Sequence, residues 1–398
     1  MGLYMSGLLS GMRVMWIGIV LSVILLVIFL SFNYLGVRPS ISSGEIENIS
    51  MPDGFAIDIY ADDLGSSLIS YPGPSPGPRM LMLKDDILFV SIPNKGLVAV
   101  LPDQDQDNKA DEVDVFISGL DSPHGLEYHD GWFYIAEESR LIRVRDDDGD
   151  LDADDGSIQV LIDDLPTRGH YTRTVKVHDD ALYLSIGSSC NACYEEDERR
   201  AAILRGELDG SNWKVFARGL RNSVGLTFHP LTGELYATDN GRDWLGDDLP
   251  PDEINLIREG GNYGWPICYG DNIHDTDFDT NQYIRNPCME PFETASLIDL
   301  QAHSAPLGLA FYYGDSFPED YNGDLFVCYH GSWNRQEPTG YKIVNIDMDT
   351  LTVNDFATGW LQGNKVLGRP VDVIVADDGS LLVSDDNAGK IYRIHYAS

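Results

Sequence analysis

One pattern recurs six times along this chain and limits what it can fold into. Each copy opens on a turn residue, runs through apolar or aromatic residues and a small one, passes a loop, and ends in a second apolar stretch. The copies read DDILFVSIPNKGLVAVLP, DGWFYIAEESRLIRVR, DDALYLSIGSS with AAILRGEL, TGELYATDNG with DEINLI, NGDLFVCYHGSWNR with YKIVNI, and DGSLLVSDDNAGKIYRIHY. Leu88, Phe133, Leu182, Leu235, Leu325 and Leu381 hold the equivalent apolar position. Their spacing is roughly 45 to 55 residues with one gap of about 90, the period of propeller blades. Within each copy the stretches are short, rich in β-branched and aromatic residues, and bounded by Asp-Gly-type turns. The pattern predicts an all-β, six-bladed propeller, whose closure leaves few exposed edges. The long gap, residues 258–321, is expected to be a loop excursion within the fourth and fifth blades.

Residues 14–36, VMWIGIVLSVILLVIFLSFNYLG, precede the repeats. They are uncharged and long enough to cross a bilayer as one helix. The following FNYLGVRPS offers no small-x-small cleavage site, so an uncleaved anchor is expected rather than a signal peptide. Arg13 and Arg38 flank the run on opposite sides and nearly balance its charge asymmetry. The expected organisation is a short segment 1–13, a transmembrane anchor 14–36, a linker 37–49 and the propeller 50–398. With no second spanning run, the propeller lies on one side, and the expectation is the extracytoplasmic side. The formal net charge of −37 excludes nucleic acid as a partner. If the domain faces outward, Cys190 with Cys193 and Cys268 with Cys288 are the expected disulfides, leaving Cys328 over. An isolated Cys-x-x-Cys can also bind zinc, but no second pair at suitable spacing accompanies it.

Two acidic loops share one spacing. DQDQDNKAD places carboxylates at Asp103, Asp105, Asp107 and Asp111, and DDDGDLDAD at Asp146, Asp148, Asp150 and Asp154. Alternate residues of a tight loop point inward, so this pattern can wrap a hard cation in oxygen ligands. Neither loop carries the closing glutamate of an EF-hand, and acidic turns on an acidic protein are the competing reading. The shared spacing favours structural calcium.

A propeller gathers loops from several blades at the mouth of its channel. The polar residues beside strands are therefore the candidates for chemistry. They are His170 and Arg173, Arg221 and Asn222, Glu253 and Tyr263, His303, His330 and Arg335, and Arg369 with Asp372.

The segment GLRNSVGLTFHPLTGELYATDNGRD, followed by PPDEINLI and GGNYGWP, resembles the glucose/sorbosone dehydrogenases. These are sugar dehydrogenases that use pyrroloquinoline quinone. GSSCNAC, HSAPLGLAFYYG and HGSWNR are similar to the sorbosone-dehydrogenase-like branch, and the likeness spans about residues 50–396. It implies the same six-bladed fold. It also implies that His170 is the base that takes the proton of a sugar's anomeric hydroxyl as hydride passes to the quinone. Arg221 and Asn222 would contact the quinone oxygens. Glu253, through its side chain, and Tyr263, through its carbonyl, would hold calcium. The backbone of Gly241 and Arg242 would hold the calcium that touches the cofactor. Arg369 would grip the cofactor's carboxylates. Three positions depart from the family: Val371 stands for a second arginine, Gly169 for an aspartate, and HGSWNR for a region with a lysine, whose charge His330 or Arg335 would replace. The reading is a quinoprotein oxidising an aldose or sorbosone-like sugar, with calcium. The alternatives are a non-catalytic calcium-stabilised propeller binding sugar or protein, and a calcium-dependent lactonase. The fold alone hosts all three.

Overall fold

The six repeat positions Leu88, Phe133, Leu182, Leu235, Leu325 and Leu381 all fall at the start of buried strands, one in each of six four-stranded antiparallel sheets. The structure is a computed structural model and describes residues 46–65, 77–291 and 293–397. The expected anchor at 14–36 lies outside the described residues. Among these, no helix is long and apolar enough to cross a membrane.

The blades occupy residues 81–118, 125–162, 173–218, 226–300, 306–357 and 370–396. In the first five, the strands run from the channel outward in chain order. The sixth takes its outermost strand from the other end of the chain. Phe55–Ala61 pairs antiparallel with Lys390–Tyr396, Phe55 opposite Tyr396. The inner strands abut one another right around the axis, so the ring is closed. The core lies between blades rather than at the centre. Phe89, Phe116 and Phe133 pack where the first blade meets the second, and Leu184, Val175 and Tyr134 where the second meets the third. The ring of Phe55 meets Phe317, Tyr321, Phe356 and Tyr396 edge-on and ties the fifth blade to the sixth.

The structure corrects the sequence reading in two places. Each repeat holds the second and third strands of a blade, and the inner strand precedes it. The acidic loops thus join third to outermost strands. The excursion lies wholly within the fourth blade, between Asp252–Ile257 and Ile298–Leu300, and the fifth blade begins at Pro306–Phe311. The excursion folds on a small hairpin, Cys268–Tyr269 with Ile273–His274, and on the Cys268–Cys288 disulfide. Cys190 and Cys193 form the second disulfide, and Cys328 is a buried thiol.

Candidate active site

The segments that enter the inner strands converge on a cavity of about 540 Å³. Every blade contributes to its wall. Arg79 precedes the first inner strand, Ser122 the second, His170 the third, Asn222 the fourth, Ala305 the fifth and Arg369 the sixth. The volume is in the range of small-molecule sites.

His170 is held at one nitrogen. Its Nδ1 lies 3.0 Å from the Ser188 carbonyl and 3.0 Å from Ser188 Oγ. A carbonyl can only accept, so Nδ1 carries the proton and Nε2 keeps the lone pair. Burial first, then the Arg221 charge, lowers the imidazole to about 3, so it is neutral at physiological pH. Arg173 belongs to the support rather than the site. It is fully buried and its guanidinium donates to the carbonyls of Pro166, His170 and Thr172, fixing the loop that carries His170. Gly169 has φ +78°, and a Cβ there would meet the Ser188 carbonyl at 2.6 Å, so this backbone has no room for the aspartate of the glucose enzymes.

Arg221 has its five donor hydrogens committed to the protein. Nε and Nη2 reach the carbonyl and side chain of Asn191, Nη1 reaches the carbonyls of Asn240 and Gly241, and Nη2 also reaches Asp243. The Gly241 carbonyl, expected to face calcium, therefore accepts from a guanidinium, at 2.9 Å. Arg221 acts as a post joining the Cys190–Cys193 loop to the fourth blade. Its charge still lines the cavity. Asn222 sits beside Thr172 Oγ1, 3.4 Å from its Oδ1.

Sequence reasoning missed one buried carboxylate that ties three blades together. Asp386 is fully buried and accepts from Arg79 Nη1 at 2.8 Å and Arg369 Nε at 2.9 Å, with His330 Nε2 at 3.1 Å. Burial alone would raise this carboxyl, but His330, Arg369 and Arg79 together hold it well below the usual carboxylate range. Burial lowers His330 to about 4. His330 thus lines the cavity while spoken for by Asp386. Arg335, also expected at the cofactor, stands outside the cavity wall, tied to the Asp247 carbonyl and to Asp248. Val371, in place of a second arginine, is fully buried and packs on Val224 and Leu307, two apolar residues of the cavity floor. Arg79 supplies a guanidinium from the adjoining first blade and shares Asp386 with Arg369. Its position just ahead of an inner strand was the available signal. Asp372 accepts from Leu81 N beneath this floor and lines a separate cavity with Lys176. His303 is bonded to the Gly246 carbonyl at 2.8 Å.

A third, small cavity of about 20 Å³ lies behind Arg221. Glu253, Asp239, Asp275, Tyr263, Gly241 and Arg242 line it. Asp239 and Glu253 face each other across paired strands, and both are buried. Burial raises Glu253 to about 7, and burial with the Glu253 charge pushes Asp239 well above the usual range. Arg242 turns its guanidinium to Asp275. Asp239 and Glu253 bring buried carboxylate oxygens of the kind calcium takes beside this space, each oxygen already accepting one hydrogen bond, from Arg221 N, Asn222 N, Gly270 N and Asn255 Nδ2.

The two acidic loops have one geometry. In each, the ninth-position carboxylate accepts from the second-position N–H, Asp111 from Gln104 and Asp154 from Asp147. Asp103, Asp105 and Asp107 bring carboxylate oxygens within 4.8 Å of one another, as do Asp146, Asp148 and Asp150.

The wall of the main cavity fits a polar, anionic guest. Arg79 Nε, Tyr171 Oη and Asn240 Oδ1 are buried without a hydrogen-bond partner, and all three residues line it. Such atoms are costly to leave unmet. The oxygens of a quinone bearing carboxylates would accept from the two donors, Arg79 Nε and Tyr171 Oη, and Asn240 Oδ1 would take a donor of the guest or of the sugar.

Residues 76–397 match the TrAA12-like family. An uncharacterized protein of Borreliella burgdorferi is 38% identical over 295 residues, covering 70% of this chain and 76% of that one. A pyrroloquinoline quinone-dependent pyranose dehydrogenase of Coprinopsis cinerea is 25% identical over 70% of this chain, which spans about half of that enzyme, 47%. The calcium structure of the Trichoderma reesei Carbohydrate-Active Enzymes Family AA12 protein superposes with a TM-score of 0.73 at 20% identity. That superposition covers 88% of this chain and 97% of the other and shows a shared fold. The chain belongs to the TrAA12-like family, among propeller relatives of the glucose/sorbosone dehydrogenase type.

Proposed function

We propose that this protein oxidises an aldose or sorbosone-like sugar at its anomeric or aldehyde carbon, using pyrroloquinoline quinone and calcium. We also propose that residues 14–36 anchor it in a membrane with the propeller on the extracytoplasmic side. The observation that carries the chemistry is His170. It is a neutral imidazole whose tautomer is set by Ser188 and which faces a cavity built by all six blades. When bound, the quinone supplies the acceptor for hydride. His170 Nε2 takes the proton of the sugar hydroxyl. Asn222 and Thr172 supply polar contacts beside it, and Arg369 and Arg79 face the cofactor's carboxylates. Glu253, Asp239 and the Tyr263 carbonyl hold calcium next to Arg221, and the two acidic loops hold structural calcium at the rim. The named Coprinopsis relative supports the cofactor. Reconstitution tests the reading: purified protein with the quinone and calcium should yield the reduced-cofactor spectrum on adding aldoses. Sugar binding without that spectrum would leave a binding propeller, and lactone hydrolysis a lactonase.

Two further outcomes are expected. Gly187 has no room for a methyl group, because a Cβ would lie 2.5 Å from Asn222 Oδ1 and 2.6 Å from His170 Cβ. Gly187→Ala should therefore displace both side chains. Turnover should fall roughly 10²-fold, the scale of a 1 Å misplacement, with an unchanged circular dichroism spectrum. Unaltered kinetics would show that the two side chains do not act together.

Calcium should stabilise the protein more at pH 8 than at pH 5. Without the ion, folded Glu253 keeps a proton up to about 7, whereas its ordinary value is 4.5. The folded state then binds more protons than the unfolded one across that window, so stability falls as pH rises through it. Calcium replaces the proton and removes the loss. Melting temperatures in chelator and in millimolar calcium at both pH values measure this. An equal calcium gain at pH 5 and pH 8 would remove the Glu253 cluster as the site.

A further inference from the structure

Two exposed indoles meet beside the cavity, and one of them, Trp333, lines it. Trp244 is 68% exposed and Trp333 is 69% exposed, and their rings meet edge to face with centroids 5.5 Å apart at 85°. Trp244 lies in the loop after the strand Leu235–Asp239, and Trp333 in the loop after Leu325–Tyr329. Trp244 has φ +74°, a left-handed backbone that a bulky side chain rarely adopts. Such a conformation persists only where the surroundings impose it, and it clusters at ligand sites.

The surroundings are built to impose it. The two loops are stitched together by Asn334 Nδ2 to Asp243 Oδ1 at 3.3 Å, Arg335 Nη2 to Asp248 Oδ1 at 3.0 Å and Gln336 N to Asp247 Oδ1 at 3.3 Å. His303 holds the first loop from below through the Gly246 carbonyl. Trp333 and Asn334 belong to the cavity wall, so the platform is continuous with the site. Arg335, which sequence reasoning sent to the cofactor, instead helps fix this platform.

We propose that Trp244 and Trp333 form a subsite for a second sugar ring, so that the preferred substrate class is an oligosaccharide entering by its reducing end. This rests on reading the cavity as the sugar-oxidising site. A pyranose has an apolar C–H face and a rim of hydroxyls. Indole faces cover the first, and Asp243, Asp247, Asp248 and Asn334 ring the platform with partners for the second. Exposed aromatic surface rimmed by polar groups marks interaction sites. The neighbouring carboxylates disfavour anionic lipid headgroups and polyanions, whereas a neutral glycan is indifferent to them.

The test compares glucose with cellotetraose and maltotetraose. Binding is read from indole fluorescence in the full-length protein without cofactor, and oxidation from KM after reconstitution. At least one tetrasaccharide should bind and react with a roughly tenfold lower constant than glucose. Trp244→Ala should abolish that advantage while leaving the constants for glucose within about twofold. Trp244→Phe, which keeps an aromatic face, should retain part of it. Length-dependent binding that is lost in Trp244→Ala, with no oxidation of any sugar, would uphold the platform and defeat the oxidation reading. Oxidation with equal constants for glucose and both tetrasaccharides would overturn the platform alone. Association of the wild type with phosphatidylcholine vesicles that Trp244→Ala loses, without any preference for longer sugars, would also overturn it in favour of a membrane contact.

Discussion

His170→Ala is expected to lower sugar oxidation by about 10²- to 10⁴-fold, the usual contribution of a positioned base, while the quinone still binds. The geometry separates the two functions. Arg79, Arg221, Asn222 and Arg369 come from blades other than the third, so the cavity keeps its cationic wall without the imidazole. Ser188 loses a partner, but its hydroxyl still donates to the Cys190 carbonyl at 2.7 Å and the local loop stays tied. The neutral state of His170, lowered to about 3, predicts a rate that does not fall as pH drops from 7 to 5 through protonation of this group. Titration of cofactor absorbance beside steady-state oxidation measures both quantities. Turnover like that of the wild type would remove His170 as the base. Loss of cofactor binding together with turnover would make it a cofactor ligand instead.

Asp386→Ala should be among the most damaging substitutions in the propeller, costing about 3–5 kcal/mol of stability, the scale for breaking a buried charge pair from one side. One carboxylate satisfies Arg79 from the first blade, His330 from the fifth and Arg369 from the sixth. Its removal leaves two guanidinium groups facing each other with no counter-charge. The pH dependence has a sign that can be worked out. Asp386 is depressed on folding, so its contribution is complete above the ordinary aspartate value of about 3.9 and is lost as pH falls below it. His330 is also lowered, to about 4 from 6.5. Between those values the unfolded chain binds a proton that the folded chain refuses, so stability declines as pH falls from 6.5 toward 4. Both groups therefore erode stability on the acid side, His330 first. Urea unfolding of wild type and Asp386→Ala at pH 7 and pH 4.5 checks the argument. A variant within 1 kcal/mol of wild type at pH 7 would mean that the two guanidinium groups find other partners.

The blades were legible because their second and third strands alternate small, apolar and aromatic residues between Asp-Gly turns. The inner strands were not. Arg173–His178, RTVKVH, and Gly125–His129, GLEYH, are short and half polar because one face lines a channel. Reading the ring from its second strands hid Arg79, which lies two residues ahead of the first inner strand. Asp386 was hidden for a different reason. In SDDNAGK it looks like the exposed acidic turns elsewhere on the chain, and only closure of the ring buries it. His170 and Asn222 were singled out by their place beside strands, were given roles by family likeness, and do line the cavity, whereas Arg335 stands outside it. Val371 shows the limit of such likeness. The motif around it persists, but the side chain joins an apolar floor rather than a cationic wall.

The pairing of Phe55–Ala61 with Lys390–Tyr396 has a kinetic consequence. Phe55–Ala61 has no place to pair until Lys390–Tyr396 is made, some 330 residues later. Until then Phe55–Ala61 lacks its partner strand, and Phe55 lacks the last of its four aromatic neighbours, Tyr396. Contacts this distant in sequence carry a loop-closure cost that slows folding. Until that strand is made, the ring has an open edge, and such edges invite pairing with other chains. Shielding that edge in the interval favours closure of the ring over pairing with other chains.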